Sequence, residues 1–202
     1  MEHKFYDIFP TPVIKFKFNR EFTQEEINFF DKNKNIVYKN FGNSYSSNSE
    51  ILDCPEMESI KIFCEDSLNF YFEKIYNPQY NVNPYITQSW LNWTYKGEYH
   101  HTHNHPNSLI SGVFYIKADK KKDSITFTKP DYKQIDIFPR SLNDYNSSEV
   151  DFVVESYELL LFPSSLYHRV NALQDGERIS LAFNSFVKGE LGTLKTLSYL
   201  KV

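Results

Sequence analysis

Cysteine is nearly absent. The chain has two among its 202 residues, Cys54 and Cys64; they lie ten apart with no Cys-x-x-Cys, which excludes a disulfide framework and a zinc ribbon. Long apolar runs are missing too: no stretch approaches the length of a membrane span, and Met1-Glu2-His3-Lys4-Phe5 lacks the apolar segment of a signal peptide. A reducing cytoplasm is therefore the expected setting. There is no basic excess, since 22 Lys and Arg face 26 Asp and Glu for a net charge of -4, so the electrostatic footprint of a nucleic-acid binder is lacking. The one basic run, Lys120-Lys121-Lys122, is short and reads as a solvated hairpin tip.

What is present is core material. Hydrophobic residues make up 41% and aromatic residues 17%, enough for one domain with a sizeable interior. In Val13-Ile14-Lys15-Phe16-Lys17-Phe18 the alternation predicts a half-buried strand. Thr23-Gln24-Glu25-Glu26 has the form of a capping box, and a short helix is expected from there to about Lys34. Residues 35–53 are polar and read as a loop. Pro55 suits the first position of a second helix, along which Ile60, Phe63, Cys64, Leu68, Tyr71 and Ile75 form an apolar stripe until Pro78. Cys64 lies on that stripe and is expected to fill the core.

From residue 84 the texture changes to short strands: Tyr85–Tyr95, Glu98–His105, Leu109–Lys117, Ser124–Thr128, Gln134–Phe138, Asp151–Ser156, Glu158–Phe162, Leu166–Val170 and Arg178–Val187. Regular spacing with turn signals at Lys96-Gly97, Pro106-Asn107 and Asp175-Gly176 indicates a mainly β fold, a sandwich or barrel with flanking helices. The expected organisation is a single domain over 1–202: an N-terminal strand and supporting helices over 1–83, a β core over 84–187, and a tail over 188–202 that packs on the sheet through Leu194, Leu197 and Leu200. The polar break at 139–150 is the place for a lid or substrate loop.

Four of the six histidines fall in Tyr99-His100-His101-Thr102-His103-Asn104-His105. On a strand, His101, His103 and His105 share one face and His100 the other. Neutral imidazole is the commonest protein metal ligand, and three on one face weigh against an idle polar edge. A further ligand from a distant segment is offered by His168 in Leu161-Phe162-Pro163-Ser164-Ser165-Leu166-Tyr167-His168. Ten residues on, Arg178, Ser180, Ala182 and Asn184 share a strand face. An inward arginine and serine beside a histidine site form a carboxylate receptor, because the guanidinium offers two parallel donors.

This combination resembles the 2-oxoglutarate/Fe(II)-dependent oxygenases, and more narrowly a small bacterial and phage branch of unassigned substrate related to prolyl hydroxylases. The resemblance runs nearly end to end: Phe9-Pro10-Thr11-Pro12-Val13, Trp90-Leu91-Asn92, Gly97, His103-Asn104-His105-Pro106-Asn107-Ser108, Ser111-Gly112-Val113-Phe114-Tyr115, the His168 segment, and Arg178-Ile179-Ser180-Leu181-Ala182-Phe183-Asn184. It implies a double-stranded β-helix (a jelly-roll, cupin-like core), with Fe(II), 2-oxoglutarate and dioxygen as cofactor and cosubstrates. It implies that His103, His105 and His168 hold iron and that Arg178 grips the distal carboxylate of 2-oxoglutarate, joined by Tyr115 and assisted by Ser180. Asn92 or Tyr95 would hold the other end of the cosubstrate. The reaction implied is decarboxylation of 2-oxoglutarate to succinate coupled to hydroxylation of a second substrate, a protein side chain or small molecule. If the chain is phage-encoded, the cytoplasm is a host's.

The pattern departs from the usual set of two histidines and one carboxylate, because the second position is His105. Three neutral ligands give the site one more positive charge. Two alternatives stay open: a cupin-like three-histidine metalloenzyme that does not use 2-oxoglutarate, and a non-catalytic phage or structural β-sandwich module.

Overall fold

The computed structural model describes residues 1–129 and 137–202. Strand β1 (Ile14–Lys17) and helix α1 (Gln24–Asn33) fall where alternation and the capping box place them. The Thr23 side chain accepts the Glu26 N–H, and the Glu26 carboxylate accepts the Thr23 N–H at 2.7 Å. Glu26 is also buried against Arg20, with oxygen–nitrogen distances of 2.5 and 2.9 Å.

That buried carboxylate carries a pH prediction. Burial pushes its pKa up, but the hydrogen bonds from Arg20 and Thr23 outweigh burial and hold it below the usual carboxylate value. A depressed folded-state pKa adds stability above the unfolded value of about 4.3 that is lost as pH falls through the folded value. Glu26→Gln is expected to lower unfolding free energy by about 2 kcal/mol at pH 7, since a cap and a half-exposed ion pair are both weakened. The deficit relative to wild type should shrink by pH 3. Urea titrations at the two pH values check this, and an equal deficit at both would refute it.

Residues 35–53 are more ordered than a loop. Strands β2 (Val37–Lys39) and β3 (Ser44–Ser46) form a hairpin that joins the main sheet, and a 3-10 turn follows at Ile51–Asp53. Strands of only three residues, Val37-Tyr38-Lys39 and Ser44-Tyr45-Ser46, leave no clear alternation. Pro55 opens a 3-10 turn (Pro55–Met57) that leads into α2 (Glu58–Ile75), and Cys64 is fully buried on its inner face.

The β region supplies β4 (Val82–Tyr95), β5 (His100–His103), β6 (Ile110–Lys117), β7 (Ser124–Thr128), β8 (Glu149–Val153), β9 (Glu158–Pro163), β10 (Tyr167–Val170), β11 (Glu177–Leu191) and β12 (Leu200–Lys201). The strand expected over Gln134–Phe138 falls mostly outside the described residues; its last two, Ile137 and Phe138, lie in exposed loop.

The main sheet runs β1-β9-β6-β11-β4-β3-β2, with β12 added to β11, and a smaller sheet runs β5-β10-β7-β8. All ladders between named strands are antiparallel. This is the double-stranded β-helix, mainly β with flanking helices. The main sheet is buried on both faces, which explains the unbroken run Leu159–Phe162. Leu159 and Leu161 join Leu181, Phe183 and the α1/α2 side chains in one core, whereas Leu160 and Phe162 join Tyr115, Ile125 and Phe127 in the core between the sheets. Gly112 permits close strand packing: a Cβ there would lie 2.2 Å from the ring of Phe183.

The tail corrects its expectation. Leu194, Leu197 and Leu200 are exposed. The chain instead continues β11 to Leu191 and folds back as β12, pairing Glu190 with Lys201, so backbone pairing rather than apolar packing positions it.

Candidate metal centre and oxo-acid pocket

β5 is the edge of the smaller sheet and pairs with β10, so His103 lies opposite His168 and His100 opposite Val170. Three steps along β5 match two along β10, which is a β-bulge. The bulge corrects the expected facing. It brings the His100 ring onto the same side as His103, with centroids 4.2 Å apart, while His101 is exposed and lines the outer cavity described below. His105 lies past the end of β5, where its N–H bonds the Ser164 carbonyl at 2.9 Å and its ring stacks on Trp90.

His103, His105 and His168 converge. One ring nitrogen from each lies within 4.8 Å of the other two. The opposite nitrogens are all engaged: Nδ1 of His103 with the His101 carbonyl at 2.8 Å, Nδ1 of His105 with Asn184 Oδ1 at 2.6 Å, and Nδ1 of His168 with the Leu166 carbonyl at 3.1 Å. Each partner is an oxygen that only accepts, so each Nδ1 carries the proton and each Nε2 keeps a free lone pair. Asn184 Oδ1 also accepts from Ser111 Oγ, which meets Ser164 Oγ, which meets Ser108 Oγ. This hydroxyl chain fixes the amide that fixes His105.

Burial keeps the rings neutral. It holds His168 down to about 3 and His105 to about 4, assisted by the neighbouring histidines, and lowers His103 in the same direction. His100 is held down to about 3 for the same reasons. Three neutral imidazoles with convergent lone pairs are a donor set suited to a divalent first-row metal.

The face of β11 turned toward this cluster carries Arg178, Ser180 and Ala182, and β4 beside it contributes Trp90, Asn92 and Thr94. Arg178 is 5% exposed. Its contacts are long: Nη2 to Thr94 Oγ1 at 3.4 Å and Nη1 to Asp123 Oδ1 at 3.6 Å. Burial lowers its pKa, opposed by Tyr115 and Asp123, yet guanidinium remains charged. A buried cation with uncommitted donors is fitted to receive an anion. Tyr115, on β6, lines the same cavity and is buried, which raises its pKa and keeps it a protonated donor. The inner cavity is narrow, about 40 Å³. It shares Trp90, Asn92, His100, His103 and His105 with an outer cavity of about 420 Å³ that Asn40, Tyr45, Ser49 and Gln88 also line.

Of the expected residues, His103, His105, His168, Arg178, Tyr115, Ser180 and Asn92 line one cavity. Tyr95 does not. Alternation along β4 turns Asn92 and Thr94 inward and Tyr95 outward, where Lys34 lies over its ring. The period-two rule already favours Thr94 over Tyr95. Residues 139–150 line neither cavity; Asp144, Ser147 and Ser148 border a separate groove with Phe127 and Phe152. Asn43 and His100 also line the inner cavity; Asn43 has no motif that marks it, and simple alternation puts His100 of the histidine cluster on the opposite face.

Residues 88–184 match the family model described as "Putative 2OG-Fe(II) oxygenase". Over that span the chain is similar to the 2OG-Fe(II) oxygenases. The matched span runs from within β4 to within β11 and so contains the whole histidine cluster and Arg178. Fe(II), 2-oxoglutarate and dioxygen are accordingly its cofactor and cosubstrates, and it is an oxidoreductase.

The fold of this oxygenase is shared with solved structures of low sequence identity. HygX from Streptomyces hygroscopicus, solved with nickel, 2-oxoglutarate and hygromycin B, is 14% identical over 87% of this chain and 82% of its own, with a TM-score of 0.58. A Pseudomonas putida prolyl-4-hydroxylase is 11% identical over 86% and 92%, with a TM-score of 0.57. The viral collagen prolyl hydroxylase of Paramecium Bursaria Chlorella virus-1, in its 2OG complex, is 13% identical over 86% and 94%, with a TM-score of 0.53. A sequence search among curated proteins finds no match. Among the described residues, no helix is long and apolar enough to cross a membrane.

Proposed function

We propose that His103, His105 and His168 hold the Fe(II) of this oxygenase through their Nε2 atoms, and that Arg178 and Tyr115 receive the distal carboxylate of 2-oxoglutarate. The observation that carries this reading is the convergence of three free imidazole lone pairs in a cavity that also contains a buried, under-committed guanidinium. When bound, the iron supplies the redox chemistry that couples decarboxylation of 2-oxoglutarate by dioxygen to oxidation of a second substrate.

The protein's own residues bind, orient and keep water out. Arg178 fixes the oxo acid at its far end, so that the oxo end is presented to the histidine cluster. Ser180 and Asn92 border it on either strand. Val113 and Ile125 line the cavity, and Phe162 and Phe127 pack on the His168 ring, which keeps the inner end dry. Asn184 and the hydroxyl chain hold the tautomer of His105. The second substrate, a protein side chain or a small molecule, enters through the outer cavity, whose walls beyond the histidines are neutral and polar.

Succinate is the readout. Fe(II)-loaded protein given 2-oxoglutarate and air, with no second substrate, is expected to release succinate slowly above the protein-free rate, and His168→Ala to release none above it. A wild-type protein that binds iron yet yields no succinate with or without candidate substrates would overturn the proposal in favour of a three-histidine enzyme that ignores 2-oxoglutarate.

A further inference from the structure

Among the described residues lining the histidine cavity, none is a carboxylate, and Arg178 is the one fixed charge in its wall. Directly behind the guanidinium lies Asp123, only 3% exposed. Its Oδ1 is 3.6 Å from Arg178 Nη1 and has no hydrogen-bond partner. The rest of the residue is held by backbone: Oδ2 accepts the Asp119 N–H at 2.8 Å, its own N–H donates to the Asp119 carbonyl at 2.8 Å, and its carbonyl accepts the Val154 N–H at 3.1 Å. The carboxylate is thus fixed at a distance too long for a hydrogen bond. It pairs with Arg178 in charge and leaves the fork's donors free.

We infer that Asp123 supplies the negative charge that a ligand set of three neutral imidazoles lacks, and that it thereby limits how tightly Arg178 holds the distal carboxylate of 2-oxoglutarate. The inference rests on the site reading above. In the common facial set, a divalent iron, one carboxylate ligand and a guanidinium sum to two positive charges. Here iron, three neutral rings, Arg178 and Asp123 sum to the same two, which dianionic 2-oxoglutarate neutralises. The compensating carboxylate has moved from the metal to the far end of the cosubstrate. Fixed there, it repels an incoming carboxylate that approaches the same guanidinium. Asp123 touches neither cosubstrate nor metal, so it is a positioning residue.

The test compares 2-oxoglutarate with 2-oxobutanoate, which has the same oxo-acid end but no distal carboxylate, by calorimetry on Mn(II)-loaded protein without oxygen. Asp123→Asn keeps the shape and the acceptor for Asp119. It is expected to tighten 2-oxoglutarate about 30-fold, as removing a like charge roughly 8 Å away, on the other side of the guanidinium, at an effective dielectric near 20 would do, and to leave 2-oxobutanoate within about twofold. A residue that only supported the fold would move both ligands together. Asp123→Glu keeps the charge and reaches closer to the guanidinium, so it should weaken 2-oxoglutarate selectively; it also serves if the Asn variant does not fold. Unchanged or weaker 2-oxoglutarate binding in Asp123→Asn, or unchanged or tighter binding in Asp123→Glu, overturns the inference. Unchanged binding in Arg178→Ala would instead overturn the site reading beneath it.

Discussion

His168→Ala is expected to lower Fe(II) affinity by about 100-fold or more. Structural metal sites with four protein ligands gain roughly 10–16 kcal/mol, so one imidazole of three contributes about 3 kcal/mol or above, which is two orders of magnitude. The loss should be abrupt, because the Nε2 lone pairs converge from two separate segments, one ending β5 and one on β10, and the remaining pair cannot close the set. His100→Ala is the control. Its ring is buried and stacks on His103, but it is outside the group whose nitrogens lie within 4.8 Å of one another. It should keep iron within about tenfold, the range of a supporting residue. Metal titration of the two variants, with melting of the metal-free proteins to separate lost packing against Phe162, checks the assignment. Wild-type affinity in His168→Ala, or an equal loss in His100→Ala, would refute it.

Much of the candidate site is legible in the period-two pattern of the sequence. Arg178, Ser180, Ala182 and Asn184 on one face of β11, and Ile179, Leu181 and Phe183 on the other, follow from alternation alone. The same rule applied strictly to β4 gives Thr94 rather than Tyr95 as the inward neighbour of Asn92. What failed was what alternation cannot see. A bulge in β5 reverses the expected side of His100, and nothing in His100-His101-Thr102-His103 marks where the extra residue lies. The β2–β3 hairpin was hidden because its strands are too short to show a period. Asp123 was hidden for a different reason. It reads as one more polar residue after Lys120-Lys121-Lys122, and its importance comes only from a partner 55 positions away. Charge pairs across a β-helix leave no local trace.

The exposed tail shows the complementary error. Leu194, Leu197 and Leu200 look like a stripe that needs cover, yet they are exposed. An exposed leucine needs no explanation taken singly, whereas a buried Asp or Arg does. The buried charges at 123 and 178 therefore mark a candidate site more sharply than the apolar residues at the end of the chain do.

Arg178→Ala is expected to weaken 2-oxoglutarate by about 100-fold while sparing the metal. A charge-assisted hydrogen bond is worth about 1.5–3 kcal/mol, and a carboxylate held by the two prongs of a guanidinium loses both, a total of about 3 kcal/mol or more, which is on the order of 100-fold or more in affinity. Arg178→Lys should recover only part, because an ammonium restores charge and not the planar fork. Stability complicates the reading, since the substitution leaves Asp123 buried without its counter-ion, and breaking a buried pair costs about 3–5 kcal/mol. The double variant Arg178→Ala, Asp123→Asn separates the two effects. It removes both charges together and should regain much of the melting temperature while its 2-oxoglutarate affinity stays low. If affinity returned along with stability, the guanidinium would matter to the fold and not to the oxo acid, and the carboxylate would have to be held elsewhere in the cavity.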